Sequence, residues 1–279
     1  KGDNLARYII VRPDNHNVIY VSTGIFDREA DNSDCTLTPP VRGGMGVLKG
    51  VYNGSNYTWT AMTTTVGITE LYIGSLVMHP NNPNILLAGA GNNGCSLNPD
   101  SSYTGGVFIT NNGGLSWTQT LTNDIITSVE FSPSNPNIAY AGGRMHFYIS
   151  YDGGWHWNMV AGQVFSWGPP GIVAGHPIDL LVDPTNPLIV FANNYGGGSV
   201  KTMDGGVNWT LASQGYTGAL LYDVSIHPWN PGIVYTTGKS GTFRSLNGGD
   251  AWEGLTYPPA ELVESYSVAI NPVDPQIII

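Results

Sequence analysis

Two neighbouring phrases decide the fold: Asp183-Pro184-Thr185-Asn186-Pro187-Leu188-Ile189-Val190-Phe191 and, shortly after, Thr202-Met203-Asp204-Gly205-Gly206-Val207-Asn208-Trp209. In the first, each proline fixes φ and removes a ladder donor, so the pair stops one strand. The Asn between the prolines favours a tight turn before the apolar run Ile189-Val190-Phe191 begins the next strand. In the second, Asp followed by Gly-Gly permits positive φ, its carboxylate accepts turn N–H groups, and Trp209 seals the corner with apolar area. These are two hairpin corners of different chemistry.

Both phrases recur. The proline phrase stands at 12–20, 79–86, 132–140, 183–191, 227–235 and 271–278, and the glycine phrase at 110–117, 150–157, 202–209 and 245–252. Pro80 to Pro272 covers 192 positions in four steps, a mean of 48, which is the length of a four-stranded propeller blade. Each blade then reads as inner strand, proline corner, second strand, loop, third strand, glycine corner and outer strand. The predicted class is an all-β β-propeller of four-stranded antiparallel blades, with five complete blades and the start of a sixth. The blades fall at about 8–61, 70–120, 125–160, 178–211, 221–255 and 266–279, the first with Gly46-Val47-Leu48-Lys49 as third strand and a degraded corner at Asn53-Gly54. An open ring leaves a naked strand edge, so the expectation is a longer polypeptide of six or seven blades. The alternative is a five-bladed ring with an extra hairpin.

The four glycine phrases resemble the Asp-box, or bacterial neuraminidase repeat, Ser/Thr-x-Asp/Asn-x-Gly-x-x-Trp, and the likeness to propellers of that superfamily covers nearly the whole chain. Val182-Asp183-Pro184-Thr185-Asn186-Pro187 leading to Thr202-Met203-Asp204-Gly205-Gly206 is similar to the blade wording of family 74 glycoside hydrolases, which act on xyloglucan. Sortilin-type receptors, sialidases and a photosystem II assembly factor are built from the same repeat. Sialidases need an arginine triad introduced by an Arg-Ile-Pro type motif, whereas Arg12-Pro13 here belongs to a corner. The early catalytic Asp of family 74 lies in an Asp-Val-Gly-Gly-like segment, where this chain has Ser22-Thr23-Gly24-Ile25-Phe26-Asp27-Arg28. No catalytic residue carries over.

In an up-and-down blade the proline and glycine corners share one end, so the longer loops and the crossings between blades occupy the other, where function is expected. The Asp-box positions Asn112, Asp152, Asp204 and Asn247 read as structural, because an amide cannot serve as general base where two of the four copies carry one. The long-loop end offers Asp27, Glu29, Tyr103, Trp167, Tyr195 and Tyr222 as ligand-binding candidates, since sugars stack on aromatic faces and hydrogen-bond to acids and amides. Asp179 and Asp223 each precede a corner proline by five residues, at matching heights on neighbouring inner strands. As a carboxylate pair they could divide acid and base roles in glycoside cleavage. Ser75, Ser128 and Ser267 hold that place in other blades, so a polar lining role is the plainer reading.

Composition narrows the classes further. Lys+Arg 10 against Asp+Glu 20 leaves a formal charge of −10, which argues against nucleic-acid binding. Gly 37 and Pro 19 mark a turn-rich chain, and no apolar run reaches the length of a membrane-spanning helix. Low Lys and abundant Asn, Ser, Thr and Tyr suit an extracellular or cell-surface location. Cys35 and Cys95 fall in equivalent loops of adjacent blades, so a disulfide clamping the two is feasible and agrees with secretion. Two separate thiols are the alternative. The six histidines show no ligand spacing, so neither a metal nor another cofactor is expected. The leading expectation is a secreted or surface binding and assembly module taking a polysaccharide or protein partner on the long-loop face. The alternative is a glycoside hydrolase resembling family 74.

Overall fold

The computed structural model describes residues 6–24, 44–91, 105–143, 146–161, 177–194, 198–212, 221–238, 241–255 and 265–279. Among these, twenty strands form five antiparallel sheets, each with its strands in chain order. Blade one holds β1 (Ala6–Val11), β2 (Val18–Thr23), β3 (Val47–Tyr52) and β4 (Tyr57–Met62). Blade two holds β5 (Ile73–Met78), β6 (Leu86–Gly91), β7 (Gly105–Thr110) and β8 (Thr118–Thr122). Blade three holds β9 (Ile126–Phe131), β10 (Ala139–Gly143), β11 (Phe147–Ser150) and β12 (Asn158–Ala161). Blade four holds β13 (Pro177–Val182), β14 (Val190–Asn194), β15 (Gly198–Thr202) and β16 (Trp209–Leu211). Blade five holds β17 (Leu221–Ile226), β18 (Val234–Gly238), β19 (Gly241–Ser245) and β20 (Glu253–Gly254). The fold is therefore the expected all-β propeller. Residues 265–279 begin a sixth repeat, whose arms meet at the isolated bridge Ile270↔Ile278 and through backbone bonds between Ala269 and Ile279 and from Asn271 to Ile277, in place of the extended strands expected there.

All six proline corners close with the same bonds. The residue before the first proline donates its amide to the carbonyl six residues on, at 2.9–3.0 Å: Arg12 to Val18, His79 to Ile85, Ser132 to Ile138, Asp183 to Ile189, His227 to Ile233 and Asn271 to Ile277. In five corners the first side chain also accepts amides inside the turn, through His79 Nδ1, Ser132 Oγ, Asp183 Oδ1, His227 Nδ1 and Asn271 Oδ1. A carboxylate, an amide, a hydroxyl and a neutral imidazole thus perform one task, because each offers an acceptor at similar reach.

The chain divides into two compact units, Lys1–Phe131 with Ser150–Trp157, and Ser132–Ile149 with Asn158–Ile279. In the first, blades one and two share a core of Val18, Tyr20, Val47, Met62, Leu86, Phe108 and Trp117. In the second, Tyr140, Phe147 and Ile149 of blade three pack with Val190, Ala192 and Trp209 of blade four, and Phe191 packs with Val224, Ile226 and Val234 of blade five.

The glycine corners explain how blades stack. A Cβ on Gly114 would stand 2.3 Å from Met62, on Gly154 2.6 Å from Leu87, on Gly206 2.5 Å from Phe147, and on Gly249 2.7 Å from Phe191. In every pair the partner belongs to the preceding blade. Each corner is therefore both a hairpin turn and a plug into its neighbour, and only glycine fits at its second Gly.

Candidate functional site

Proline and glycine corners do share one end of a blade: the amides of Gly113, Gly205 and Gly248 donate to the proline-corner carbonyls of Asn84, Leu188 and Gly232, each at 2.9 Å. Within the four glycine corners Thr110, Ser150, Thr202 and Ser245 place a hydroxyl that accepts the amide of the second glycine at 2.8–3.0 Å and donates to the Asn or Asp two residues on. That Asn or Asp in turn accepts the amide four residues further, at Ser116, His156, Asn208 and Ala251. Burial works against ionisation of Asp152, but bonds from the His156 side chain and amide and from Ser150 outweigh it and hold the carboxyl at about 2. The same opposition, with Asn208 and Thr202 as donors, keeps Asp204 below the ordinary carboxylate range. An acid so committed is poorly suited to proton transfer at neutral pH.

The opposite end is shaped by a repeated irregularity. The register shifts between Ile73 and Ser75, between Pro177 and Asp179, and between Leu221 and Asp223, so each inner strand carries one extra residue just before the matched Ser or Asp. A bulge of this kind re-aims a side chain. In blade five the extra residue is Tyr222, whose ring stacks on Tyr266 at 5.1 Å between centroids and 17° between planes. Tyr266 is exposed, so the stack presents an aromatic surface to solvent.

Ser75 and Asp223 both reach across a seam to the next blade. Ser75 Oγ accepts the Val129 amide at 3.0 Å. Asp223 Oδ2 accepts the Val268 amide at 2.8 Å and the Ser267 hydroxyl at 2.7 Å, while Oδ1 accepts the Val224 amide at 2.9 Å. The two therefore play one part, fixing the following inner strand at its matching height. Asp179 stands at this level on β13, opposite Asn193 on β14. Asn193 Nδ2 and Thr237 Oγ1 are buried without a hydrogen-bond partner among the described residues; they oppose Asp179 and Asp223 in register.

Of the other candidates, Asp27, Glu29, Tyr103, Trp167 and Tyr195 lie outside the described residues, as do Cys35 and Cys95. The described residues bring together Tyr222, Asp223, Tyr266 and Ser267. One acid that sequence reading passed over is Glu130 on β9. The residue keeps some accessible surface, yet desolvation raises its pKa to about 8 against the bond from the Phe131 amide. It sits three residues from its corner proline, toward the corner end of the strand. No group of His, Cys, Asp and Glu that could hold a metal occurs among the described residues, and none of their helices is long and apolar enough to cross a membrane.

No family model matches the chain, and no curated protein does. Solved structures do. The GH74 enzyme of Niastella koreensis superposes with a TM-score of 0.63 at 18% identity, over 96% of this chain and 42% of its own. An ancestral GH74 enzyme gives 0.65 at 17%, over 96% and 33%, and the GH74 xyloglucanase from Xanthomonas campestris 0.62 at 16%, over 97% and 42%. The likeness is one of fold, and the chain spans less than half the length of each.

Proposed function

We propose that this chain is a binding and assembly module, acting outside the cell or at its surface, that takes a polysaccharide or protein partner on the face opposite its Asp-boxes. The observation that carries the reading is the bulged Tyr222 stacked on exposed Tyr266 beside Asp223 and Ser267. A flat ring bordered by hydroxyl and carboxylate groups suits the C–H face and hydroxyls of a sugar, or a peptide side chain. The acidic balance and the polar composition support the location.

A second reading, a glycoside hydrolase cutting a β-glucan-type polysaccharide with Asp179 and Asp223, draws support from the fold shared with GH74 enzymes. Against it stands Asp223, whose two oxygens accept three bonds, two of them from Ser267 and Val268 of the following repeat and one from the Val224 amide. Affinity electrophoresis and titration calorimetry against a polysaccharide panel test the first reading. We expect Tyr266→Ala to weaken binding about tenfold and Tyr266→Phe to retain most of it. Binding that ignores Tyr266 would remove the support. Release of reducing sugar that disappears in Asp179→Asn or Asp223→Asn would establish the enzyme instead.

A further inference from the structure

In blades two and three the residue nine positions after the corner proline is glycine, Gly89 and Gly142. A Cβ there would stand 3.0 Å from Ile126 and 2.4 Å from Pro177, both on the following blade's inner strand, so these two seams close on apolar side chains. In blades four and five the same position carries Asn193 and Thr237, 0% and 1% exposed. Each has a polar atom that meets no hydrogen-bond partner. Burying such an atom unpaired is unfavourable, so a polar side chain in place of glycine calls for a polar occupant.

The seam between blades four and five has the fuller set of groups. Asn193 lies two residues beyond Phe191, which packs on Val224 and Ile226 of blade five, so it points to the same side of the sheet. Asp179 on β13 and Ser199 on β15 oppose Asn193 in register and share its face. The Ser199 hydroxyl donates to Asn193 Oδ1 at 2.6 Å, which leaves Nδ2 as the donor without a partner. Asp179 also departs from its counterparts. Ser75 and Asp223 hold the amides of Val129 and Val268 in the next inner strand, whereas the equivalent amide of Val224 is held at 2.9 Å by Asp223 of its own strand. The half-buried Asp179 and the buried Asn193 therefore stand opposite each other, one inner strand away from the Tyr222–Tyr266 stack.

We infer that the row Asp179, Asn193, Ser199 is a subsite for a sugar hydroxyl, which accepts from Asn193 Nδ2 and donates to Asp179. The inference rests on the binding reading above and narrows its partner to a carbohydrate. A hydroxyl donates and accepts through one atom, which is what an amide N–H facing a carboxylate requires. A peptide carbonyl would meet Asp179 acceptor to acceptor, and a peptide N–H would meet Asn193 Nδ2 donor to donor. Water has the same versatility, so a bound saccharide takes its place. The aromatic stack and the polar row, on adjoining inner strands, suit successive units of one chain of sugars.

Titration calorimetry of the 279-residue chain with cello-, xylo-, manno- and maltotetraose should find at least one that binds, and Asn193→Leu should weaken it about tenfold or more. Binding lost in Tyr266→Ala but untouched by Asn193→Leu would overturn the subsite and leave the binding reading standing. Binding that ignores both substitutions would remove both. Failure of all four saccharides would overturn the carbohydrate assignment and leave a protein partner for that face. Should Asn193→Leu fail to fold, NMR of the unaltered chain decides: the Asn193 side-chain amide resonances should shift as the bound tetraose is added. Resonances that stay fixed while it binds would overturn the inference and leave an ordered water only at Nδ2.

Discussion

At the scale of single residues, the repeat is a set of positions that tolerate different chemistry only where the task is the same. Asn and Asp alternate two residues after the glycine-corner hydroxyl because both offer an oxygen to the amide four residues on. Histidine, serine, aspartate and asparagine alternate before the corner proline for the same reason. The hydroxyl of the glycine corner has less latitude, since it satisfies the buried amide of the second glycine. Thr202→Val should leave that amide unpaired and cost about 1–3 kcal/mol in urea unfolding, while Thr202→Ser should be nearly neutral. Serine already stands in that place at 150 and 245. A loss in Thr202→Ser with none in Thr202→Val would show that the methyl group, not the hydroxyl, matters.

At the scale of the element, positive φ and tight packing separate glycines that look alike in sequence. Gly54 and Gly206 have nearly the same backbone angle, +97° and +99°, but a Cβ at Gly54 meets nothing within 4 Å and one at Gly206 meets the Phe147 ring at 2.5 Å. Alanine at Gly54 should cost only the left-handed backbone penalty, about 1–2 kcal/mol. Alanine at Gly206 should add an overpacking cost of about 1–3 kcal/mol by displacing the plug from its neighbour. Thermal unfolding of the two variants checks the difference, and equal costs would deny the glycine corner its inter-blade role. The degraded corner of blade one, Asn53-Gly54-Ser55-Asn56, fits this distinction: Asn53 still closes a turn through Oδ1, but its glycine plugs into nothing.

At the scale of the whole molecule, three titrating groups give stability opposing pH slopes. Asp152, at about 2 against 3.8, contributes stability that is present above 3.8 and lost as pH falls toward 2. His79, lowered by burial despite a backbone bond, adds stability above 6.5 that is lost as pH falls through its depressed pKa. Glu130, at about 8 against 4.5, acts in the reverse sense, since the folded chain holds a proton that the unfolded chain releases, so stability falls between 4.5 and 8. Melting temperatures measured across pH should show Glu130→Gln flattening that fall and Asp152→Asn flattening the acid limb. An unchanged profile in Glu130→Gln would mean that the carboxyl is hydrated and ionised. The sequence by itself determined the five four-stranded blades, both kinds of corner and their common end, because prolines, paired glycines and side-chain acceptors act on the backbone within a few residues of themselves. It also singled out Tyr222 and the matched positions 179 and 223. Only the tertiary structure decided that Asp223 is spent on the inner strand position of the next repeat, that Tyr222 is the bulged residue facing Tyr266, and that desolvation raises the Glu130 pKa. Those outcomes depend on which blade lies beside which, and contacts between residues about fifty positions apart leave no local periodicity to read.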